Sequence, residues 1–256
     1  MKTKYYWITG ILALAFFLII NIPAAIVINP IKDQLAQINI QHVSGSIWQG
    51  SAQQITVQSK HVFKNVEWSI CVFHLLLAEA CVELDTEYNT NPLSGQVSIG
   101  LDNAIQAKNL KTTMTAHALS QIVTMPMGEI AGDISVYLET LNWQQGGVPS
   151  ATGVIKWSKA SITIAETAQL GDIIVSLSES EDSPINAEIS NTNGQLAIAG
   201  TASLKATTDY QLDLTLTPND KASTNLKSSL GLFAKPQANG SYTVKNNGNL
   251  KQLGLM

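Results

Sequence analysis

The chain has 256 residues and a formal net charge of −4; 45% of residues are hydrophobic, 13% charged and 6% aromatic. Ordinary soluble domains carry about a quarter charged residues. This balance excludes a disordered chain, a coiled coil and a cysteine-stapled miniprotein. All fifteen basic residues are lysines, which removes bidentate guanidinium recognition of phosphate or carboxylate. The net acidity argues against a nucleic-acid partner.

From Tyr5 to Ile31 no residue is charged, and only Thr9 and Asn21 are clearly polar before Ile28. A bilayer core about 30 Å thick needs about 20 apolar residues in a helix. The pattern therefore predicts a transmembrane signal-anchor helix over residues 5–28, after a short N-terminus of residues 1–4. Tyr5, Tyr6 and Trp7 stand where an aromatic belt would lie. A cleaved signal peptide is the competing reading. Its apolar region is usually shorter, and Ile22-Pro23-Ala24 lacks the small residue expected three positions before a cut.

Lys2 and Lys4 precede the anchor, whereas Lys32 is offset by Asp33. The lysine excess marks the cytoplasmic flank, so residues 29–256 are expected on the far side as one β-domain. In residues 33–256 twelve lysines face nineteen acids. Such a domain has no electrostatic attraction to anionic lipid and is expected to project away from it.

Cys71 and Cys81 are the only cysteines. In an oxidising compartment an even count suggests a structural disulfide; the alternative is a pair of buried free thiols. Their spacing does not fit a CxxC redox or zinc motif.

The remainder alternates with period two. Tyr210, Leu212, Leu214 and Leu216 alternate with Gln211, Asp213 and Thr215. Ile162 and Ile164, and Ile185, Ala187 and Ile189, follow the same rule. Turns are predicted at Pro92-Leu-Ser-Gly95, Gly146-Gly147, Asp182-Ser-Pro184, Asn193-Gly194, Pro218-Asn-Asp220 and Asn246-Asn-Gly248. Strands recurring about every ten residues predict a mainly β fold. The expected architecture is a curved antiparallel sheet, U-shaped or half-barrel-like, with one or two short helices. Val72–Ala80 reads as a short helix between strands Val66–Ile70 and Cys81–Tyr88. His117–Val123 reads as a second helical turn. A weak echo relates Gly45-Ser-Ile47-Trp48 to Gly153-Val-Ile155-Lys-Trp157.

The search for chemistry is negative. His42, His61, His74 and His117 are isolated, with no HxH, HxxxH or HExxH spacing. No GxSxG elbow occurs. Gly45 to Gly50 has phosphate-loop glycine spacing, but Ser51-Ala52 follows where Lys and Ser/Thr are needed. Glu179, Glu181 and Asp182 lack the spacing of a calcium loop. No catalytic residue, metal or cofactor is predicted. With helices scarce, the apolar face of the sheet must be covered by a second layer, a partner or lipid.

Val43-Ser-Gly-Ser-Ile-Trp-Gln-Gly-Ser-Ala52 resembles the VSGTLWxGxA signature that follows the anchor in the type II secretion system protein N family. The resemblance continues through Trp68, Leu75-Leu-Leu77, Pro126-Met-Gly128-Glu-Ile-Ala-Gly132, Leu141-Asn-Trp143 and Ala151-Thr-Gly153-Val-Ile155-Lys-Trp157. It is looser beyond about residue 160. The family often carries arginine after the equivalent of Trp68, where this chain has Ser69, and the two cysteines are additional. The resemblance implies a non-enzymatic accessory subunit of the general secretory machinery, with one inner-membrane anchor and a periplasmic β-domain. Its implied partners are other secretion subunits, in the inner-membrane platform or the outer-membrane secretin. A second reading is a lipid-binding module similar to AsmA-type envelope proteins, with an apolar β-groove. Trp48 and Trp157 are the candidate interaction residues, since aromatic side chains carry interface energy; the alternative is that both pack within strands. Gly45 and Gly50 are expected to serve backbone geometry at a bend or bulge.

Overall fold

The computed structural model describes residues 2–32, 38–58, 61–75, 78–122, 129–144, 147–163, 166–232 and 234–250. The chain falls into two compact units, residues 1–101 and 102–256.

Unit 1 opens with helices α1 (Lys2–Ile20) and α2 (Ala24–Lys32). The single helix expected over residues 5–28 is therefore two helices. Pro23 has no N–H to donate and restricts the residue before it, which ends helical geometry at Asn21-Ile22. Asn21 closes α1, its backbone N–H and its side-chain amide both donating to the Phe17 carbonyl at 3.2 and 2.8 Å. The uncharged part of α1, Tyr5–Ile20, is about 24 Å long at 1.5 Å per residue. Among the described residues no helix is long and apolar enough to cross a membrane.

Five antiparallel strands follow, hydrogen-bonded in chain order: β1 (Ile38–Gly45), β2 (Gln49–Val57), β3 (His61–Ile70), β4 (Ala80–Tyr88) and β5 (Asn91–Ile99). Helix α3 (Val72–Leu75) lies between β3 and β4; it is shorter than the helix expected over Val72–Ala80, of which Leu76 and Leu77 lie outside the described residues. The turn expected at Pro92–Gly95 is at Asn89-Thr90 instead, two residues with φ of 49° and 67°. Residues 92–95 are paired inside β5. Among the described residues of unit 1 the buried side chains are Ala24, Ala52, Val66, Cys81, Thr86 and Ser98.

Unit 2 contains β6 (Ile105–Thr115), α4 (Ala116–Ile122), β7 (Glu129–Trp143), β8 (Ser150–Thr163), β9 (Thr167–Ser178), β10 (Ile185–Thr192), β11 (Leu196–Leu204), β12 (Asp209–Pro218), α5 (Thr224–Leu230), β13 (Lys235–Pro236) and β14 (Tyr242–Asn249). Its strands pair antiparallel in chain order, except that β14 separates β12 from β13. In neither unit do the first and last strands pair among the described residues. The fold is thus mainly β, antiparallel and not closed, in agreement with the alternating sequence pattern.

The core of unit 2 lies between the sheet and two short helices. Leu226 and Leu230, one helical turn apart on α5, pack on Ala160, Leu170, Ile173, Leu196 and Leu216. Ser223 caps α5 by accepting the Leu226 N–H at 3.0 Å, and its hydroxyl donates to Glu166. Ala116 of α4 is buried against Ile130 and Ile134. The turn at Asp182-Ser-Pro184 lies between β9 and β10 as expected, whereas of Pro218-Asn-Asp220 the proline is still paired in β12 and the rest leads into α5. Asn193 of the β10–β11 turn has a φ of 62°. The predicted Asn246–Gly248 turn is instead paired within β14, where Gly248 faces Tyr210. A Cβ at Gly248 would meet that ring at 2.9 Å, so the glycine provides room rather than a reversal. Ile164, Gly146, Val123 and Pro126–Gly128 lie outside the described residues.

Candidate functional site: the junction between the first helix and the first hairpin

The last four carbonyls of a helix have no partner within it and must find one elsewhere. At the end of α1 Asn21 serves the Phe17 carbonyl, and the tip of the β1–β2 hairpin serves Ile19 and the residue beyond the helix, Ile22. The Trp48 indole N–H donates to the Ile19 carbonyl at 2.8 Å. The Ile47 N–H donates to the Ile22 carbonyl at 3.0 Å, and Pro23 forms an isolated antiparallel bridge with Ser46. Every described α1 side chain, from Tyr6 to Ile20, is exposed, so the helix is held by its end. Beyond the break, Ala24 is completely buried.

Glycines shape the tip. Gly45 ends β1 at a φ of +83°, a left-handed conformation that an L side chain rarely adopts. Ser46 then closes the turn, its N–H donating to the Gln49 carbonyl at 2.9 Å while its hydroxyl accepts the Gln49 N–H at 3.1 Å. Gly50 sits where a Cβ would meet the Ser44 and Ser46 carbonyl oxygens at 2.7 and 2.9 Å, and the ring of Trp68. Trp68 covers this glycine from β3, and its indole N–H donates to the Ile47 carbonyl at 3.2 Å. The Ile70 N–H donates to the Trp48 carbonyl at 2.7 Å. Trp48 is therefore fixed at both ends, and Trp68, not among the interaction residues expected from sequence, is a second indole at the tip. Its signal was the position opposite Gly50, which becomes visible only once β2 and β3 are in register.

Trp157 is in a different setting. It is half-buried in the middle of β8, where its indole N–H donates to the Ala131 carbonyl at 3.0 Å and its ring packs against both clusters of unit 2. Gly132, with a φ of +115°, lies beneath it, and a Cβ there would meet the indole nitrogen at 2.8 Å. The sequence echo between Trp48 and Trp157 therefore joins a hairpin tip to a strand interior. The closer parallel is Trp68 over Gly50 with Trp157 over Gly132: in each pair an indole covers a glycine and donates to a backbone carbonyl.

Cys71 and Cys81 are joined by a disulfide across the base of the loop that carries α3, with their Cα atoms 5.2 Å apart. Cys81 is buried, and Gln96 Nε2 lies 2.9 Å from its sulfur. Among the described residues Cys71, His74 and Cys81 form the grouping of metal-ligand atoms, all within 4.8 Å of one another. With both sulfurs in the bridge no thiolate is available, and His74 remains as a lone donor. His61 is engaged elsewhere, with its Nδ1 2.8 Å from the Tyr88 hydroxyl.

The family model of the type II secretion system (T2SS), protein N, matches residues 36–245. The protein named Type II secretion system protein N from Aeromonas hydrophila is 22% identical over 240 residues, which cover 91% of this chain and 93% of that protein. No solved structure matches the chain. With the hairpin tip, Trp68 and the Trp157 strand all inside the matched region, the chain belongs to the type II secretion system protein N family.

Proposed function

We propose that the protein is a non-enzymatic accessory subunit of the type II secretion machinery, held in the inner membrane by α1, with its β units in the periplasm. Family membership makes it a secretion-machinery subunit; the anchoring, the orientation and the contacts are our reading. The observation that carries it is the junction described above. Helix α1 exposes apolar side chains along its described length, including Ile11, Leu12, Phe16 and Phe17, and among the described residues it is fastened through its C-terminal end. A helix that is apolar all round belongs in an apolar surrounding. Trp48 supplies a donor to the Ile19 carbonyl at the end of α1, one of the terminal carbonyls for which a helix end needs a partner. Its short uncharged length is compatible with a bilayer that thins locally, with Lys2 and Lys4 at the cytoplasmic interface. An oxidising periplasm agrees with the Cys71–Cys81 bridge.

The two units then serve as a scaffold that meets other subunits, in the inner-membrane platform or at the outer-membrane secretin. In unit 2 Ala116 of α4 and Leu226 and Leu230 of α5 cover part of the sheet, which favours a scaffold over an open lipid groove. Trp48 acts within this reading as the fastening of the anchor, and Trp157 as a packing residue. The test is in-cell photocrosslinking scanned across residues 40–60 and 140–160. Adducts to secretion subunits at discrete positions are expected. Adducts to phospholipid alone along one strand face of unit 2 would overturn the scaffold reading in favour of a lipid carrier.

A further inference from the structure

The register of unit 1 gathers several features at one end of its sheet. Gln49↔Ser69 and Gly50↔Trp68 place the end of β3 beside the β1–β2 tip. Ile70↔Val82 and Ala80↔Ile99 carry the same end across β4 and β5. Hence the tip that holds α1, the bridged loop after Ile70 and the end of β5 all lie at one edge. A short relay makes the adjacency concrete: Trp48 donates to Ile19, Ile70 donates to Trp48, and Cys71 with the loop follows directly.

This end is apolar. Among the described residues of unit 1 outside α1 and α2, the exposed large hydrophobic side chains are Val72, Phe73, Leu75, Ile99 and Leu101, with Phe73 83% and Leu101 85% exposed. All five lie at the end to which α1 is fastened. The opposite end carries the exposed polar turn residues Gln58, Asn89 and Thr90. Between Cys71 and Cys81 the sequence holds one charge, Glu79. Exposed apolar groups concentrated in this way mark a contact surface.

We infer that this end of unit 1 is a second membrane contact, in which Val72, Phe73, Leu75, Ile99 and Leu101 enter the headgroup–acyl boundary of the bilayer that holds α1. The inference rests on the anchor reading above. Lipid is the occupant because the C-terminal end of α1, the point at which that helix leaves the bilayer, is tied directly to this edge. The acidic balance of the chain gives no attraction to anionic headgroups, so the contact is driven by apolar burial and does not weaken with salt. The disulfide closes the base of the loop and keeps Val72, Phe73 and Leu75 on a compact knob. The anchor and the knob together would set the tilt of unit 1 on the membrane, where an anchor alone would leave it free to swing.

The experiment uses the full chain in vesicles of phosphatidylethanolamine and phosphatidylglycerol, with p-benzoylphenylalanine placed singly at Phe73, Leu101, Phe16 or Thr90. Illumination should give phospholipid adducts at Phe73, Leu101 and Phe16 and none at Thr90, with yields unchanged at high salt. Adducts at Phe16 but none at Phe73 and Leu101 would overturn the second contact and leave the anchor reading standing. Loss of the adduct at Phe16 would overturn both. A protein adduct in place of lipid at Phe73 in cells would assign the knob to a partner and overturn the inference. The same probe at Val72 repeats the test should the Phe73 variant fail to fold.

Discussion

The indole nitrogen of Trp48 lies 2.8 Å from the carbonyl oxygen of Ile19, a residue 29 positions earlier in the chain. This bond joins the most conspicuous sequence motif of the protein to the end of its most hydrophobic segment. Replacing Trp48 by phenylalanine keeps an aromatic ring and removes the donor. A lost hydrogen bond of this kind costs about 1 kcal/mol. The effect should be local: faster amide hydrogen exchange at Ile47 and Ile22, with β3 to β5 unchanged. Uniformly faster exchange across unit 1 would mean that Trp48 supports the sheet rather than the junction.

Much of this arrangement was legible beforehand. Leu212, Leu214 and Leu216 alternate as they must on a strand, and β12 runs from Asp209 to Pro218. The helix at Ala116–Ile122 also stands near the position expected. Helix α5 went unseen because Thr-Asn-Leu-Lys-Ser-Ser-Leu is too short for a periodic signal; only Ser223 as a cap and the Leu226/Leu230 spacing mark it. The break at Pro23 was visible as a proline inside an apolar run, but hydropathy alone does not distinguish one span from two helices. The grip of Trp48 on Ile19 is a long-range contact between a hairpin and a helix end, which no local pattern encodes.

Gly50→Ala tests the tip from the other side. An added methyl meets the Ser44 and Ser46 carbonyl oxygens as well as the Trp68 ring. Two of those partners are backbone and cannot swing away, so the hairpin or the tryptophan must shift, at a cost of about 1–3 kcal/mol. Gly10→Ala is the control, since a Cβ there meets nothing within 4 Å. Gly50→Ala should lower the unfolding midpoint of the detergent-solubilised chain and Gly10→Ala should not. Equal midpoints for the two would remove the role assigned to Gly50.

The Cys71–Cys81 bridge closes a loop with a sequence separation of 10 residues. In the chain-entropy model its removal costs about 3 kcal/mol. The double variant Cys71→Ser/Cys81→Ser should therefore unfold at lower denaturant, and reductant should shift the native protein to the same midpoint. Protease cleavage between residues 72 and 79 should rise in step. A native protein indifferent to reductant would show that the loop is held by other contacts.

Leu230 and Leu232 make a matched pair, two residues apart and opposite in burial: 1% and 87% exposed. Leu230 anchors α5 on the core of unit 2. Truncating such a side chain to alanine removes its transfer free energy and leaves a cavity, about 2–5 kcal/mol together. Leu232→Ala removes a side chain that is almost wholly in solvent and should be nearly neutral. If the two variants melt alike, α5 does not cover the sheet as described.

Asp209 supplies a prediction in pH. Its carboxyl is held below the ordinary aspartate range, first by the Thr207 hydroxyl and then by the Asn249 amide; Lys205 acts in the same direction and slight desolvation opposes them. The two hydrogen bonds measure 2.6 and 2.8 Å, and both partners donate to the ionised form. A carboxyl whose folded pKa is depressed contributes stability that is fully present above its unfolded value. That contribution is lost as pH falls through the lower folded value. In a carbon-13 titration of the side-chain carboxyls, Asp209 should keep its ionised shift at a pH below the ordinary aspartate midpoint. The β11–β12 turn should loosen only below that point. In Thr207→Val the midpoint should move up toward the ordinary aspartate value; a midpoint that stays put would mean that the hydroxyl does not hold the charge.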